Sequence, residues 1–442
     1  MKLRTALILL VVPLLQLTFM PPVLRGETPS PMAAAEKDHL ITLYHDLHAA
    51  PELSLHEEKT SQRLAAEMRA LGLEVTEKVG GWGVVAVLKN GPGKTLLIRT
   101  DMDALPVREL TLLPFASKVK TKDDAGQEVS VMHACGHDMH MTCWVGAARA
   151  LLAQKDHWHG TLVFIGQPAE ERVGGASAML KDGLFTRFPK PDLCLALHCS
   201  ADLAAGHVSI TPGGAMASVD NLDIIVHGLG GHGAQPQATK DPVVLAAQIV
   251  MGLQTIHSRE IHPLEPSVIT VGSIHGGTKH NIIPDEVRLQ LTVRATSMAT
   301  RKKLLDAIDR VAKGLGIAAG LPDELLPEVR RPKEFTPALE NDEALSTKLA
   351  EMFKTTFGAD RYHGSKPTMG GEDFSLYGRT EDHIPVCMFW LGTVPPAKVA
   401  EAAKSGQPLP SLHSPFYRPD AEPSLETGVA AMTAAVMECI KE

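Results

Sequence analysis

The sequence contains few aromatic residues and no excess of positive charge. Phe, Trp and Tyr make up 4% of the 442 residues, so the composition says little about the shape of a binding pocket. The formal net charge is -8 and no long run of Lys or Arg occurs, which leaves no basic surface for nucleic acid. Internal repeats and low-complexity tracts are absent as well. With 44% hydrophobic and 21% charged residues, the composition is that of a soluble globular protein.

An apolar run long enough to span a membrane is also missing. Lys2 and Arg4 precede an apolar run from Ala6 to Met20, an arrangement typical of an export signal. At about 15 residues and interrupted by Pro13, this run is short for a membrane span. We predict that residues 1–35 are a signal peptide and linker, and that the mature protein is periplasmic or secreted without stable membrane insertion. A retained N-terminal anchor is the alternative.

The chain is longer than one hydrophobic core usually organises, so we expect more than one core. Helical spacing of apolar residues predicts two opening helices, Leu40–Leu47 and Glu57–Leu71, the second capped by Ser54. Short apolar runs predict buried strands, separated in several places by helical stretches, that begin at Val84, Thr95, Leu162 and Leu193. This alternation indicates an α/β catalytic domain, formed by residues 36–214 and completed by residues 326–442.

The pattern changes between residues 215 and 325, which we interpret as an inserted α+β domain. The predicted elements alternate in the order strand, helix, two strands and helix: Asn221–His227, Pro242–His257, Ser267–Ile274, Glu286–Arg294 and Ala299–Leu315. Gly- and Pro-rich segments flank them and are suitable hinges.

Polar side chains follow several of the predicted strands of the catalytic domain. Asp101 and Asp103 follow the strand from Thr95, the pair Glu170 and Glu171 follows the strand from Leu162, and His198 ends the strand from Leu193. In open α/β sheets the chemistry gathers at the carboxyl ends of the strands. These residues are therefore expected at one edge of the sheet.

The segment MHACGHDMH from Met132 to His140 is the densest group of potential ligands. One glycine separates Cys135 from His137, and thiolate together with imidazole suits Zn²⁺ or a similar divalent ion. In isolation the segment also fits a buried or disulfide-bonded Cys135 beside surface histidines. The ligand-type residues at the strand ends favour the metal site.

The segment QPAEE from Gln167 to Glu171 places two adjacent carboxylates after a buried strand. Side chains of neighbouring residues in an extended backbone diverge, so one can bind metal while the other addresses a water molecule. This division of labour is suitable for hydrolysis. Paired glutamates on a solvated turn are the alternative that the strand context disfavours.

Nine segments in order resemble the metal-dependent amidohydrolase and carboxypeptidase family that includes hippurate hydrolases, aminoacylases and indole-acetyl-amino-acid hydrolases. The resemblance runs nearly end to end and lies in HAAPELSLHEEKT (from His48), RTDMDALP (from Arg99), HACGHD (from His133), QPAEE, ALH (ending at His198), GLGGHGAQP (from Gly228), GGTKHNIIPD (from Gly276), MGGEDFS (from Met369) and LHSPFY (from Leu412). It implies a two-metal aminopeptidase-like catalytic domain with an inserted ferredoxin-like lid or dimerisation domain, and a homodimer.

The resemblance also implies the roles of particular residues. Metal ligands are expected at five positions, and they hold two divalent ions per subunit, zinc or manganese: Cys135, His137, Glu171, His198 and His413. Glu170 is the implied general base and His232 the donor to the oxyanion, while Asn281 and Arg294 hold the substrate carboxylate. Lys279 departs from the family, which usually has a small residue there, so specificity is expected to differ from the hippurate pattern.

The resulting hypothesis is hydrolysis of the amide bond of an N-acyl amino acid, releasing a carboxylic acid and a free amino acid. A carboxypeptidase or dipeptidase acting on short peptides, and a non-catalytic binding member of the fold, are the alternatives. Carboxylates that orient the ligands are expected at Asp101, Asp103 and Asp138, and direct contact of any of them with metal is the alternative. The remaining histidines are assigned to surface or packing roles: His140, His157, His159, His207, His257 and His262.

Overall fold

The computed structural model describes residues 34–333 and 335–441. The predicted signal segment up to residue 33 lies outside these ranges, whereas the first helix begins at Ala34. None of the helices in the described part of the chain is both long and apolar enough to cross a membrane.

The helices and strands of the described ranges are numbered in chain order. The α-helices are α1 (Ala34–Ala49), α2 (Glu58–Ala70), α3 (His137–Ala153), α4 (Gly175–Lys181), α5 (Leu184–Arg187), α6 (Pro242–Arg259), α7 (Met298–Ala318), α8 (Glu343–Phe357), α9 (Pro396–Ser405) and α10 (Ala421–Ile440). The strands are β1 (Glu74–Val79), β2 (Gly83–Asn90), β3 (Thr95–Asp101), β4 (Lys120–Lys122), β5 (Glu128–Ser130), β6 (Gly160–Gln167), β7 (Leu193–Ala204), β8 (Val208–Ile210), β9 (Gly213–Met216), β10 (Ser218–His227), β11 (Gly231–His232), β12 (Ser267–Gly276), β13 (Ile282–Ile283), β14 (Glu286–Ala295), β15 (Glu328–Arg330), β16 (Leu339–Asn341), β17 (Tyr362–Gly364) and β18 (Val386–Val394).

An eight-stranded mixed sheet forms the centre of the catalytic domain. Its strand order is β1-β2-β6-β3-β7-β18-β8-β17, and the pairs β6/β3, β3/β7 and β7/β18 are parallel. These central strands are buried almost throughout because helices and loops cover both faces. Their carboxyl ends lie at one edge of the sheet, where α/β proteins place their binding sites.

Separate hydrophobic cores lie on the two faces of this sheet. One contains Trp144 of α3 together with Tyr44 and Phe164, and the other contains Met179, Phe374 and Tyr377. Because helix α3 packs on the first face, its N-terminus is held at the carboxyl edge of β3 and β7.

The inserted segment forms its own sheet and core. Its strand order is β12-β14-β10-β15 with antiparallel neighbours, and α6 and α7 pack on one face. The chain order β10-α6-β12-β14-α7-β15 gives a ferredoxin-like βαββαβ unit. The predicted fold class is confirmed, and the fourth strand of the insertion, Glu328–Arg330, lies beyond residue 325.

Two local predictions were wrong. Ser54 does not cap α2, whose N-cap is Glu57, because its hydroxyl donates instead to Asp103 Oδ2 at 2.6 Å. His198 does not end its strand, because β7 continues to Ala204. Ser54 and His198 instead contact residues of the candidate site, Asp103 and Cys135 respectively.

Candidate active site

The turn before α3 presents Cys135 and His137 to the carboxyl edge of the sheet. Between them, Gly136 adopts a left-handed conformation with φ of +83°. A Cβ atom there would lie 3.1 Å from Cys199 Sγ and 3.2 Å from Tyr417 Oη. Glycine therefore meets both the backbone and the packing requirement of this turn, and the thiol and the imidazole on either side of it face the same space.

A second turn, after β6, presents the two adjacent glutamates. Ala169 has a φ of +50°, a conformation that residues with a side chain adopt at a cost. Two carboxylates fix this turn, since Glu57 Oε1 accepts from the N–H of Ala169 at 2.7 Å and Asp103 Oδ2 accepts from the N–H of Glu171 at 3.0 Å. The side chains of both glutamates are nearly buried.

The five residues predicted as metal ligands form one continuous group. Cys135 Sγ lies 3.6 Å from His198 Nε2 and 3.3 Å from His413 Nε2. Glu171 Oε1 lies 3.4 Å from His413 Nε2 and 3.8 Å from His137 Nε2. Cys135 belongs to both triads of ligand atoms, one with His137 and His198 and the other with Glu171 and His413.

Two of the ligand atoms that face the centre of this group have no hydrogen-bond partner among the described residues, as expected for metal ligands. His137 donates through Nδ1 to the carbonyl of Asp103 at 2.8 Å, which leaves Nε2 buried and unpartnered. Glu171 Oε1 is also buried without a hydrogen bond. His198 donates through Nδ1 to the carbonyl of Cys199 at 2.8 Å, so its Nε2 carries a lone pair towards Cys135. Buried polar atoms are normally paired, so these atoms fit a divalent cation.

The electrostatics of the site lead to the same conclusion. Although burial opposes it, the carboxylates of Asp101 and Asp103 raise the pKa of His137 to about 10. Burial and the charge of Glu171 raise the pKa of the Cys135 thiol well above its usual value. Both shifts reflect a buried excess of negative charge that a bound cation would neutralise. The thiolate that we predict for Cys135 therefore depends on that cation.

Glu170 lies beside two further carboxylates. Its carboxylate, together with those of Glu372 and Asp373, forms a group whose oxygens lie within 4.8 Å of one another. Burial and then the charges of Glu372 and Glu171 raise the pKa of Glu170 well above the usual value. A carboxylate with a raised pKa that faces the metal ligands has the properties of a general base.

Arg99 organises this acidic region, and the sequence analysis assigned it no role. Its fully buried guanidinium contacts Asp101 Oδ2 at 2.6 Å and Glu372 Oε1 at 2.8 Å, and it donates to Gln167 Oε1 at 3.1 Å. An Arg at the end of a buried strand beside two Asp residues was the available signal. Glu372 and Asp373, which lie far along the chain, gave no signal beyond their place in a resembling segment.

His140 was assigned to a surface or packing role, and of the two it has a buried one. His140 is buried, donates through Nδ1 to Asp101 Oδ1 at 2.7 Å, and accepts at Nε2 from the N–H of Cys199 at 2.8 Å. It therefore links the carboxylate after β3 to the backbone beside His198. The signal was its spacing of three residues from His137, which places both rings on one face of α3.

Of the three supporting carboxylates, only Asp103 hydrogen bonds to a predicted ligand. Asp101 Oδ2 lies 3.7 Å from His137 Nε2 and so faces the centre of the group. Asp138 instead contacts His48 Nδ1 at 2.6 Å, while His48 Nε2 contacts Glu109 Oε1 at 3.0 Å. Although burial opposes it, hydrogen bonds to Asp138 and Glu109 raise the pKa of His48 to about 10, so a buried imidazolium joins two carboxylates behind α3.

The predicted residues of the insertion are in two places. His232 on β11 and Asn281 beside β13 lie together at an exposed two-stranded sheet, where Gly233 N–H donates to the Asn281 carbonyl at 2.9 Å. The hydrogen bonds and ion pairs among described residues include none between this small sheet and the metal ligands. Arg294 on β14, in contrast, donates to the carbonyl of Met369 at 2.6 Å and so contacts the loop that leads to Glu372.

All six cysteines are buried thiols, and none forms a disulfide. This includes Cys194 and Cys199, which lie on either side of His198. Five of the six pack in the hydrophobic cores, whereas Cys135 lies among the predicted metal ligands.

Comparison with known proteins shows the family. Residues 97–438 match peptidase family M20/M25/M40. Thermostable carboxypeptidase 1 of Saccharolobus solfataricus is 37% identical over 361 residues, covering 81% of this chain and 86% of that protein. Hippurate hydrolase of Campylobacter jejuni is 37% identical over 335 residues, covering 75% and 83%. The solved structure of the YXEP protein of Bacillus subtilis, a dinuclear metal binding peptidase from the M20 family, is 29% identical with a TM-score of 0.74, covering 92% of this chain and 99% of the other.

The sheet edge with its thiol, imidazole and carboxylate groups defines the protein as a metal-dependent hydrolase. The chain belongs to peptidase family M20/M25/M40, so the predicted resemblance is confirmed. The family and its dinuclear member support divalent metals, and the group around Cys135 offers ligand atoms suited to them.

Proposed function

We propose that the protein hydrolyses the amide bond of an N-acyl amino acid, and that Glu170 is its general base. The observation that carries the proposal is the buried Glu170 carboxylate, whose Oε2 lies 4.0 Å from the unpartnered Nε2 of His137. In this mechanism Glu170 accepts a proton from the attacking water and delivers it to the leaving amine. Hippurate hydrolase, a relative of similar length, supports an acyl substrate.

The metal would be held by Cys135, His137, Glu171, His198 and His413. We propose two divalent ions per subunit, zinc or manganese, because the predicted ligands form two triads that each could hold one ion and that share Cys135. When bound, the ions supply positive charge that polarises the amide carbonyl and lowers the pKa of water. The hydrogen bonds from Nδ1 of His137 and of His198 to backbone carbonyls orient both rings.

The substrate carboxylate would be bound by Arg294 and Asn281, and His232 would donate to the oxyanion. Arg294 is half-buried and contacts the Met369 carbonyl, so it lies beside the loop that reaches Glu170 through Glu372. His232 and Asn281, at the exposed two-stranded sheet, would reach the metal ligands only if the insertion closes or if a second subunit supplies them.

A homodimer would supply that second subunit. The exposed surface of α6 carries Val244 and Met251, which are 55% and 70% exposed, and the edge strand β12 carries Ile274 at 55%. An exposed apolar helix stripe beside an unpaired strand edge is suitable for pairing with a copy of itself.

We also propose export, which rests on the N-terminal sequence alone. N-terminal sequencing of the protein recovered outside the cytoplasm tests export, and its recovery there with residues 1–20 intact argues for an anchor.

A carboxypeptidase activity on short peptides is the second candidate, because a carboxypeptidase is 37% identical to this chain. The deciding experiment is a hydrolysis screen with N-acetyl and N-benzoyl amino acids, dipeptides and tripeptides, with metal content measured in parallel. Acyl amino acids should give the highest kcat/KM. Faster cleavage of peptides would favour the second candidate, and bound metal without hydrolysis of any substrate would favour a binding protein.

A further inference from the structure

One loop beside the metal ligands exposes apolar side chains that the fold does not use. Leu112 is 93% exposed and has a φ of +59°, and its neighbour Leu110 is 39% exposed. Phe416, three residues after His413, is 54% exposed. A left-handed backbone is unfavourable for a residue as large as leucine, and no burial of Leu112 compensates for it. The conformation therefore needs an explanation outside the core.

The loop is fixed rather than loosely attached. The carboxylate of Glu109 is completely buried and accepts hydrogen bonds from the backbone N–H of Ser117 at 2.6 Å and from the hydroxyl of Thr111. His48 Nε2 contacts the same carboxylate at 3.0 Å. Thr111 is itself buried, between the exposed side chains of Leu110 and Leu112. A fixed loop that presents leucine to solvent is preorganised for an apolar ligand.

The loop is attached directly to the segment that carries a metal ligand. The N–H of Leu110 donates to the carbonyl of Pro415 at 2.8 Å. Pro415 is two residues from His413, a span of at most about 7 Å, and the N–H of His413 donates to the carbonyl of Ala134 at 2.8 Å, beside Cys135. The loop that carries these apolar side chains is therefore joined through the backbone to the segment of His413.

The two sides of a bound substrate would leave the site towards different loops. Arg294, the proposed partner of the substrate carboxylate, contacts the Met369 loop, which adjoins Glu170 through Glu372. Leu110 and Phe416 instead adjoin the segment of His413, which contacts Cys135 and Glu171. With the amino acid at Arg294, the acyl group is the part that faces the leucines.

We propose that Leu110, Leu112 and Phe416 form the acyl subsite, and that the preferred substrates are amino acids acylated with an extended hydrophobic group. This inference rests on the proposed hydrolysis of N-acyl amino acids. The ligand is an alkyl or aryl acyl chain longer than acetyl, because the exposed side chains offer apolar contact and no hydrogen bond.

The test compares N-octanoyl and N-acetyl derivatives of one amino acid in the wild type and in Leu112→Gly. The ratio of kcat/KM for octanoyl to that for acetyl should fall about tenfold in the variant, as expected from the loss of apolar contact with about two methylene groups. Because glycine suits a φ of +59°, the thermal midpoint should stay equal or rise. Leu264→Gly, at a leucine 84% exposed on the insertion, is the matched control and should leave the ratio unchanged.

A measurement without turnover accompanies the kinetics. In a Glu170→Gln background, calorimetry should show that Leu112→Gly weakens binding of the N-octanoyl amino acid about tenfold, and that Leu264→Gly does not. An unchanged ratio and unchanged binding, in a wild type that hydrolyses acyl amino acids, would overturn the subsite while leaving the proposed function intact. A change of sedimentation or of binding to neutral lipid vesicles in Leu112→Gly, with the ratio unaltered, would assign the leucines to a partner or a membrane instead. A wild type that hydrolyses no acyl amino acid would reject the proposed function itself.

Discussion

The metal ligands and His232 were both expected to belong to one active site, but in the structure the metal ligands lie close together whereas His232 lies apart from them. The ligand atoms lie within 4 Å of their neighbours, although His413 is 278 residues from Cys135 along the chain. His232 is exposed, and its Nδ1 accepts only from the nearby N–H of Ala234 at 3.0 Å. The metal ligands are positioned by the edge of the central sheet, whereas the two-stranded sheet with His232 belongs to the insertion, which has its own core.

Arg294 shows that the insertion itself is divided. It lies on β14 in the middle of the four-stranded sheet and contacts Met369 of the catalytic domain, whereas His232 and Asn281 lie on a separate two-stranded sheet. One part of the insertion thus contacts the catalytic domain of its own chain. The part that carries His232 is exposed, so its imidazole could come from the same chain or from the second subunit that we propose.

The largest effect is expected within the metal-ligand region, at the two adjacent glutamates. Glu170→Gln should lower kcat by about a thousandfold while metal content stays unchanged, because the amide keeps the shape but cannot accept the proton. The matched variant Glu171→Gln should lose metal as well, since it removes the carboxylate from the ligand group. Metal analysis and steady-state kinetics on both proteins measure the two effects.

Two results would contradict this assignment. A wild-type kcat in Glu170→Gln would remove the base from the mechanism. Full metal content in Glu171→Gln, with metal lost from Glu170→Gln, would reverse the roles of the pair.

The second-largest effect on catalysis is expected at His232. His232→Ala should lower kcat by about a hundredfold with unchanged metal content, because a donor to the oxyanion acts mainly on the transition state. Mixing inactive Glu170→Gln protein with inactive His232→Ala protein, under conditions of subunit exchange, should restore activity if the imidazole comes from the neighbouring subunit. Activity is then measured against each variant alone.

The controls decide between the remaining outcomes. No recovery, with heterodimers verified by a mass tag, would show that the insertion closes over its own chain. An effect of His232→Ala confined to KM would assign the residue to substrate binding instead.

The smallest effect on catalysis is expected for substitution of His48, behind α3, which should instead lower stability. His48→Gln should reduce the free energy of unfolding by about 3 kcal/mol, because it leaves the buried carboxylates of Asp138 and Glu109 without their cation. The pKa of His48 is raised to about 10 in the folded protein, above about 6.5 for an unfolded histidine. Its stabilisation is therefore complete below pH 6.5 and is lost as the pH rises towards 10.

Denaturant unfolding from pH 6 to 10 checks this effect. The wild type should lose stability over that range, and His48→Gln should show a flatter profile. Parallel profiles for the two proteins would place the titration elsewhere.

Much of the fold could be predicted because its signals are local. The strands from Thr95 and Leu162 and the helix from Pro242 begin at the residues expected or within two of them, since continuous apolar runs and helical spacing depend on nearby residues. Ser54 was assigned to a helix cap because its hydroxyl suits that position. Its actual partner, Asp103, is distant in sequence, and no local pattern indicates it.

The site was predictable where resembling segments carried the ligands, and less so where a long-range contact decides the role. His140 shares a helix face with His137, yet its role depends on its hydrogen bond to Asp101, which lies at the end of β3. Glu372 matters because Arg99 and Glu170 fold against it across more than 200 residues. Leu112 illustrates a feature that no sequence pattern indicates, since neither its φ of +59° nor its 93% exposure follows from nearby residues.

The most direct test of the central claim is a titration of metal-depleted protein with Zn²⁺ or Mn²⁺, recording bound metal and hydrolysis of an N-acyl amino acid in the same samples. The metal-depleted protein should be inactive, and activity should rise with occupancy and reach its maximum at two ions per subunit. Full hydrolysis in the metal-depleted protein, or two bound ions per subunit without any hydrolysis, would contradict a metal-dependent amide hydrolase at this site.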